Sequence, residues 1–89
     1  MEAIMTLFTK ADCQKCHYIK GKFDLTVLGI QEEILGEDNP AALAHLAWHE
    51  LVEIAQKELP ILILDDSSAV IGALPIKKYL SGQPSARPH

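Results

Sequence analysis

The 89-residue chain has little of what marks a membrane, nucleic-acid-binding or disulfide-stapled protein. Its apolar runs, such as Ile61-Leu62-Ile63-Leu64, fall far short of the ~20 residues that cross a bilayer. Eight Lys and Arg stand against twelve Asp and Glu, a formal net charge of -4, and no basic cluster is long enough to follow a phosphate backbone. A membrane span and a nucleic-acid partner are therefore not expected. The N-terminus lacks a charged region followed by a long apolar stretch and a small-residue cleavage site, because Met1-Glu2 leads straight into Ala3-Ile4-Met5-Thr6-Leu7-Phe8. The expected compartment is the cytoplasm. Cysteine is scarce too, with two residues, Cys13 and Cys16, and in a reducing compartment such a pair points to redox or metal chemistry more than to a structural cross-link.

What is present suits one small globular unit. The chain is 48% hydrophobic and 22% charged, an ordinary composition for a packed domain. A chain of this length buries only roughly 60–65% of its unfolded surface and does not support two cores. One monomeric domain is expected over residues 1–82, with 83–89, which contain two prolines and no apolar run, as a loose tail.

Ala3 to Phe8 is rich in strand formers and stops at Thr9-Lys10-Ala11-Asp12, which predicts a first strand and a short loop. Cys16, Ile19, Phe23, Val27 and Ile30 recur at three- and four-residue spacing, which predicts a helix from Gln14 to a cap near Gly29, with Gly21 a weak point inside it. Gln31 to Leu35 predicts a strand, closed by the loop Gly36-Glu37-Asp38. Asn39-Pro40 predicts a helix start, the Asn side chain capping free N–H groups and the proline taking the first helical position. Leu43, Leu46, Ala47, Leu51, Ile54 and Ala55 would form the apolar face of that helix through about Glu58, with Trp48 packed at its edge. Ile61 to Leu64 reads as a strand buried on both faces. Asp65-Asp66-Ser67-Ser68 would turn it into a hairpin with Ala69-Val70-Ile71, and Pro75 to Leu80 would form a last helix. The order is β-α-β-α-β-β-α, an α/β chain whose first two strands are parallel and whose hairpin completes a mixed four-stranded sheet flanked by three helices.

Asp12-Cys13-Gln14-Lys15-Cys16-His17 carries the chemistry, and it has three readings. Cys13, Cys16 and His17 spell the c-type haem attachment pattern, but haem of that kind is normally matured after export and takes a distal ligand that Met1 and Met5 are poorly placed to give. Cys13 and Cys16 with His45 and His49, which lie four apart on the second predicted helix, could nominally make a Cys2His2 zinc set. The gap between the pairs is too long for a zinc finger, and histidines at that spacing on an amphipathic helix are expected in solvent. The redox reading uses the context as well as the pair. A thiolate at a helix N-terminus is stabilised by free N–H groups and the helix dipole, and Cys13 lies at the strand-to-helix transition. Lys10 and Lys15 add positive charge nearby and Asp12 opposes them. Cys16, one turn further in, is suited to resolving a mixed disulfide.

Phe8-Thr9-Lys10-Ala11-Asp12-Cys13-Gln14-Lys15-Cys16 resembles the active-site segment of glutaredoxins, in which a strand ends in an aromatic residue, a Ser or Thr and a Lys before the C-x-x-C. The element order over residues 3 to 81 is similar to that family's thioredoxin fold. Glu58-Leu59-Pro60 falls where the family carries a cis-proline before its third strand, and Val70-Ile71-Gly72 where its fourth strand leads to the last helix. The resemblance implies a thiol–disulfide oxidoreductase with Cys13 as nucleophile, Cys16 as resolving thiol and no metal or resident cofactor. It further implies Lys10 as a cationic contact for the thiolate or a substrate carboxylate, with Gln14 and Lys15 on the substrate surface. Leu59, turned by a cis bond at Pro60, would offer its backbone N–H and C=O to an extended substrate. The implied partners are a disulfide-containing protein or a glutathione mixed disulfide, and a reductase system. Gln14-Lys15 stands where glutathione-using members have Pro-Tyr, and Ile71-Gly72-Ala73-Leu74 lacks the second glycine and the acid that hold glutathione. The electron donor is thus open between glutathione, a thioredoxin reductase and a dedicated partner, with the weight on the last two. The alternative function is a non-catalytic module that binds a metal or an iron–sulfur cluster through the same cysteines.

Overall fold

Strand β1 (Met5–Lys10) is the inner strand around which a computed structural model of the chain, describing residues 5–64 and 68–82, is built. It pairs in parallel with β2 (Ile30–Leu35), Met5 opposite Ile30 and Lys10 opposite Leu35. On its other side it runs antiparallel to β3 (Ile61–Ile63), Leu7 opposite Leu62, and β3 in turn pairs antiparallel with β4 (Ala69–Ile71). The sheet is mixed, with the order β2-β1-β3-β4. β1 runs two residues beyond the expected Phe8, because Ile34 and Leu35 of β2 supply ladder partners for Thr9 and Lys10. The hairpin is closed on its near side by Leu64 and Ser68, whose N–H and C=O meet at 2.8 Å. The expected turn residues 65–67, the first strand residues 3–4 and the tail 83–89 lie outside the described residues.

Alternation along the strands sends successive side chains to opposite faces, and both faces are apolar. On one, Phe8, Ile61, Ile63 and Leu35 meet Ala42 and Leu46 of α2 (Pro40–Trp48), Leu51, and Ala55 of α3 (Val52–Lys57). On the other, Leu7, Leu62 and Ile30 meet Ile19 of α1 (Gln14–Lys22), Phe23, and Ile76 and Leu80 of α4 (Ala73–Ser81). This two-sided burial explains why Ile61-Leu62-Ile63 reads as an unbroken apolar run.

Four helices, not three, are present among the described residues. The expected helix over 40–58 breaks at His49–Leu51, where Glu50 takes φ 59° and the Leu51 N–H reaches back to the Leu46 carbonyl. In an unbroken helix Leu51 would lie about 140° around the axis from Leu46. The break brings both into the same core, at 9% and 1% exposure. The expected apolar face is correspondingly wrong at Leu43, Ala47 and Ile54, which are exposed, and Trp48 is 83% exposed and not packed at the helix edge.

α1 ends at Lys22, well before Gly29, where the sequence spacing would carry it. Asp24 diverts the chain, its carboxylate accepting the Val27 N–H at 3.2 Å in a local turn that competes with helix. Val27 is then 64% exposed, and Gly29, at φ 72°, closes this turn instead of α1. Asn39 does not cap α2 with its side chain; its amide donates to the Ile34 carbonyl at 2.9 Å, tying the helix start to the end of β2, while Pro40 takes the first helical turn as expected.

The acids of edge strand β2 serve the two faces alternately. Glu32 accepts the hydroxyl of buried Thr9 at 2.6 Å and the Lys20 ammonium at 2.9 Å. Burial pushes the Glu32 carboxyl up, but those two hydrogen bonds, with the charges of Lys20 and His17, outweigh it and hold the group below its ordinary value of 4.5. A depressed carboxyl contributes stability above that value and loses it as the pH falls through the folded-state pKa. Glu32→Gln is expected to cost about 1–2 kcal/mol at neutral pH, the lower part of the charged hydrogen-bond range because the pair is partly solvated. Urea unfolding of both proteins should show the difference shrinking as the pH drops below 4.5.

Candidate functional site

Cys13 is the N-cap of α1, with extended backbone angles (φ -95°, ψ 109°) and a sulfur that accepts the Cys16 N–H at 3.1 Å. It thus fills the capping role usual for Ser or Asp. The Cys13 N–H donates to the Lys10 carbonyl at 3.3 Å and its carbonyl accepts the His17 N–H at 3.1 Å, so strand end, loop and helix start are joined through this one residue. The Cα atoms of Cys13 and Cys16 are 5.2 Å apart, within the range a disulfide spans, and the two sulfurs are bonded. Cys13 is half-buried and Cys16 fully buried.

His17 ties the loop before Cys13 to the first turn of α1. Its Nε2 lies 2.8 Å from the Ala11 carbonyl, and since a carbonyl only accepts, that nitrogen carries the proton. The ring clamps the Ala11-Asp12 loop onto α1. The Nε2 atom is thereby committed to the loop, an arrangement at odds with the haem pattern that the spacing spells.

The other expected site residues fall into two groups. Lys15 stands at the start of α1 with its ammonium 3.9 Å from Glu58, directly before the Leu59–Pro60 bond, which is cis. Lys15, Glu58, Gly72, Leu74 and Pro75 line a cleft of about 410 Å³ between the α1 start and the α4 start. Pro60 is buried and its carbonyl accepts the Gly72 N–H at 2.9 Å; Leu59 is half-buried and stands outside the ladder, which begins at Ile61. Gln14 is exposed in the first turn of α1. Lys10, by contrast, lines a separate apolar cleft with Leu43, Leu46 and Val52, and is not among the residues that line the Lys15–Glu58 cleft.

Gly72 is the residue here that sequence reading underused. Its φ of 96° with ψ 154° is nearly exclusive to glycine, and an added Cβ would lie 3.4 Å from the Glu58 carboxylate and 3.6 Å from Pro75. Gly72→Ala is expected to destabilise by about 1–3 kcal/mol, and to open the wall of the cleft. Thermal unfolding checks it, since about 1 kcal/mol moves Tm by roughly 4–8 °C in a domain of this size.

No group of three or more His, Cys, Asp or Glu among the described residues is arranged to hold a metal. The Cys2His2 set fails because Cys16 belongs to α1 and His45 to α2, helices that cover opposite faces of the sheet. Nor are His45 and His49 simply in solvent: His45 Nδ1 lies 2.6 Å from Glu33, and the two Nε2 atoms are 3.3 Å apart. No helix among the described residues is long and apolar enough to cross a membrane. No family model, curated protein or solved structure matches the chain.

Proposed function

We propose that the chain is a cytoplasmic thiol–disulfide oxidoreductase with a glutaredoxin-like thioredoxin fold, acting through Cys13 and Cys16. The observation that carries the reading is the placement of the pair: Cys13 half-exposed at the N-cap, its sulfur accepting the Cys16 N–H, with buried Cys16 at bonding reach. The sheet order, with α1 and α4 on one face and the remaining helices on the other, supports the fold assignment.

In the reduced protein, an N–H aimed at the Cys13 sulfur favours negative charge there, and the start of α1 adds its dipole. The Cys13 thiolate attacks one sulfur of a substrate disulfide; that S–S bond breaks and the leaving sulfur departs as a thiolate. The Cys16 thiolate then attacks the Cys13 sulfur of the mixed disulfide and expels the second substrate thiol. Two electrons pass to the substrate, which takes up two protons, and the Cys13–Cys16 disulfide remains for a reductant to open. An extended substrate would lie along the Lys15–Glu58 cleft and pair with the Leu59 backbone.

The test offers the protein hydroxyethyl disulfide and insulin with each of two electron sources, glutathione with its reductase and a thioredoxin reductase. Turnover with either supports the proposal, and turnover with the second alone fits the missing glutathione-holding residues. No turnover from either, nor with dithiothreitol standing in for a dedicated reducing partner, in protein whose two thiols titrate normally, sinks it.

A further inference from the structure

The His45–His49 pair is built in a way that an exposed i, i+4 pair is not. Three contacts fix the His45 ring: Nδ1 lies 2.6 Å from a Glu33 carboxylate oxygen, the ring packs edge-on against fully buried Phe8 with centroids 5.2 Å apart, and Nε2 faces His49. Glu33 can only accept, so Nδ1 carries the proton and the Nε2 lone pair faces His49. His49 Nε2 lies 3.3 Å away as the hydrogen-bond donor to it, and a metal entering between the two displaces that proton to His49 Nδ1, which leaves both Nε2 lone pairs to the ion. Two imidazole nitrogens about 2.0–2.1 Å from one tetrahedral zinc lie about 3.3–3.4 Å apart. The spacing is already that of a chelate, and the carboxylate behind His45 is the outer partner that metal-bound imidazoles usually have.

We propose that His45 and His49 bind a divalent transition metal, zinc or one of similar ligand preference, through their Nε2 atoms, with Glu33 positioning His45. Imidazole pairs suit such ions, and with two protein ligands the remaining positions go to water or a small exogenous donor. Partial exposure of both rings leaves the ion a path in. The site is independent of the cysteines, which lie on α1 across the sheet.

The protein is therefore tested oxidised, so that no thiolate competes. Calorimetric titration with zinc chloride is expected to show one saturable equivalent, and NMR of the imidazole nitrogens should show the His45 and His49 signals moving together while those of His17 stay in place. His49→Ala should abolish saturable binding. Glu33→Gln, which keeps the side-chain size, should weaken it about 10–100-fold, the usual effect of losing an outer carboxylate partner. His17→Ala should leave it unchanged. Far-UV circular dichroism confirms that each variant is folded. Absence of saturable binding by the wild type, or equal binding by wild type and His49→Ala, overturns the proposal.

Discussion

Cys13→Ser is expected to bring disulfide reduction down to the uncatalysed rate, and Cys16→Ser to accumulate a stable mixed disulfide on Cys13. The asymmetry follows from the helix start. Cys13 is the half-exposed N-cap whose sulfur receives an N–H, so it is the one that meets substrate; Cys16 is fully buried one turn in, and reaches only Cys13. A serine at 13 still caps α1, because a hydroxyl accepts the same hydrogen bond, so the loss of activity should come without loss of fold. Unfolding midpoints of reduced wild type and Cys13→Ser should accordingly agree closely. Intact mass after mixing Cys16→Ser with hydroxyethyl disulfide should show one added mercaptoethanol group, absent from the double variant. Wild-type-like rates in Cys13→Ser would assign the chemistry elsewhere.

Phe8→Ala is expected to cost about 3–5 kcal/mol, the largest effect of a single truncation here. Phe8 is fully buried in the inner strand and meets Ile61 across the ladder, and its ring is also the wall against which His45 packs. A domain of this size holds only about 5–10 kcal/mol in total, so the variant should be largely unfolded on moderate warming. Urea unfolding in the cold measures the loss. A change below about 1 kcal/mol would mean that the Phe8 cavity collapses, contrary to a site hemmed in by strands on both sides.

The parts of this fold legible in the sequence are those set by local chemistry and by strong patterns. The all-apolar Ile61-Leu62-Ile63, the Pro40 start of α2, and a strand leading through a short loop to the cysteines all lie where pattern reading puts them. What was illegible depended on tertiary competition. Apolar spacing ran through Val27 to Ile30 as if one helix continued, because periodicity cannot register that Asp24 bonds its own turn. The break in the second helix likewise turns on Leu51, which enters the core only if Glu50 adopts a left-handed conformation.

The same division holds in the candidate site. Cys13 at the cap of α1 was readable from the order of elements, whereas His17 on the Ala11 carbonyl and His45 on Glu33 join residues whose meeting the spacing does not encode. A signal for the latter existed: two adjacent acids, Glu32 and Glu33, inside a strand point to opposite faces and each needs a partner there. Lys10, assigned by resemblance to the thiol, holds the Cys13 N–H through its carbonyl and also lines the apolar cleft beside α2.

The most direct test of the redox assignment is the reduction potential of the Cys13–Cys16 pair, measured by equilibrating the protein across a series of dithiothreitol buffers and trapping free thiols. A catalytic pair of this class should titrate reversibly as one two-electron couple between about -200 and -270 mV, the upper end favouring glutathione and the lower end thioredoxin-type wiring. A midpoint below about -300 mV, where structural disulfides lie, or no reversible transition at all, would contradict the account.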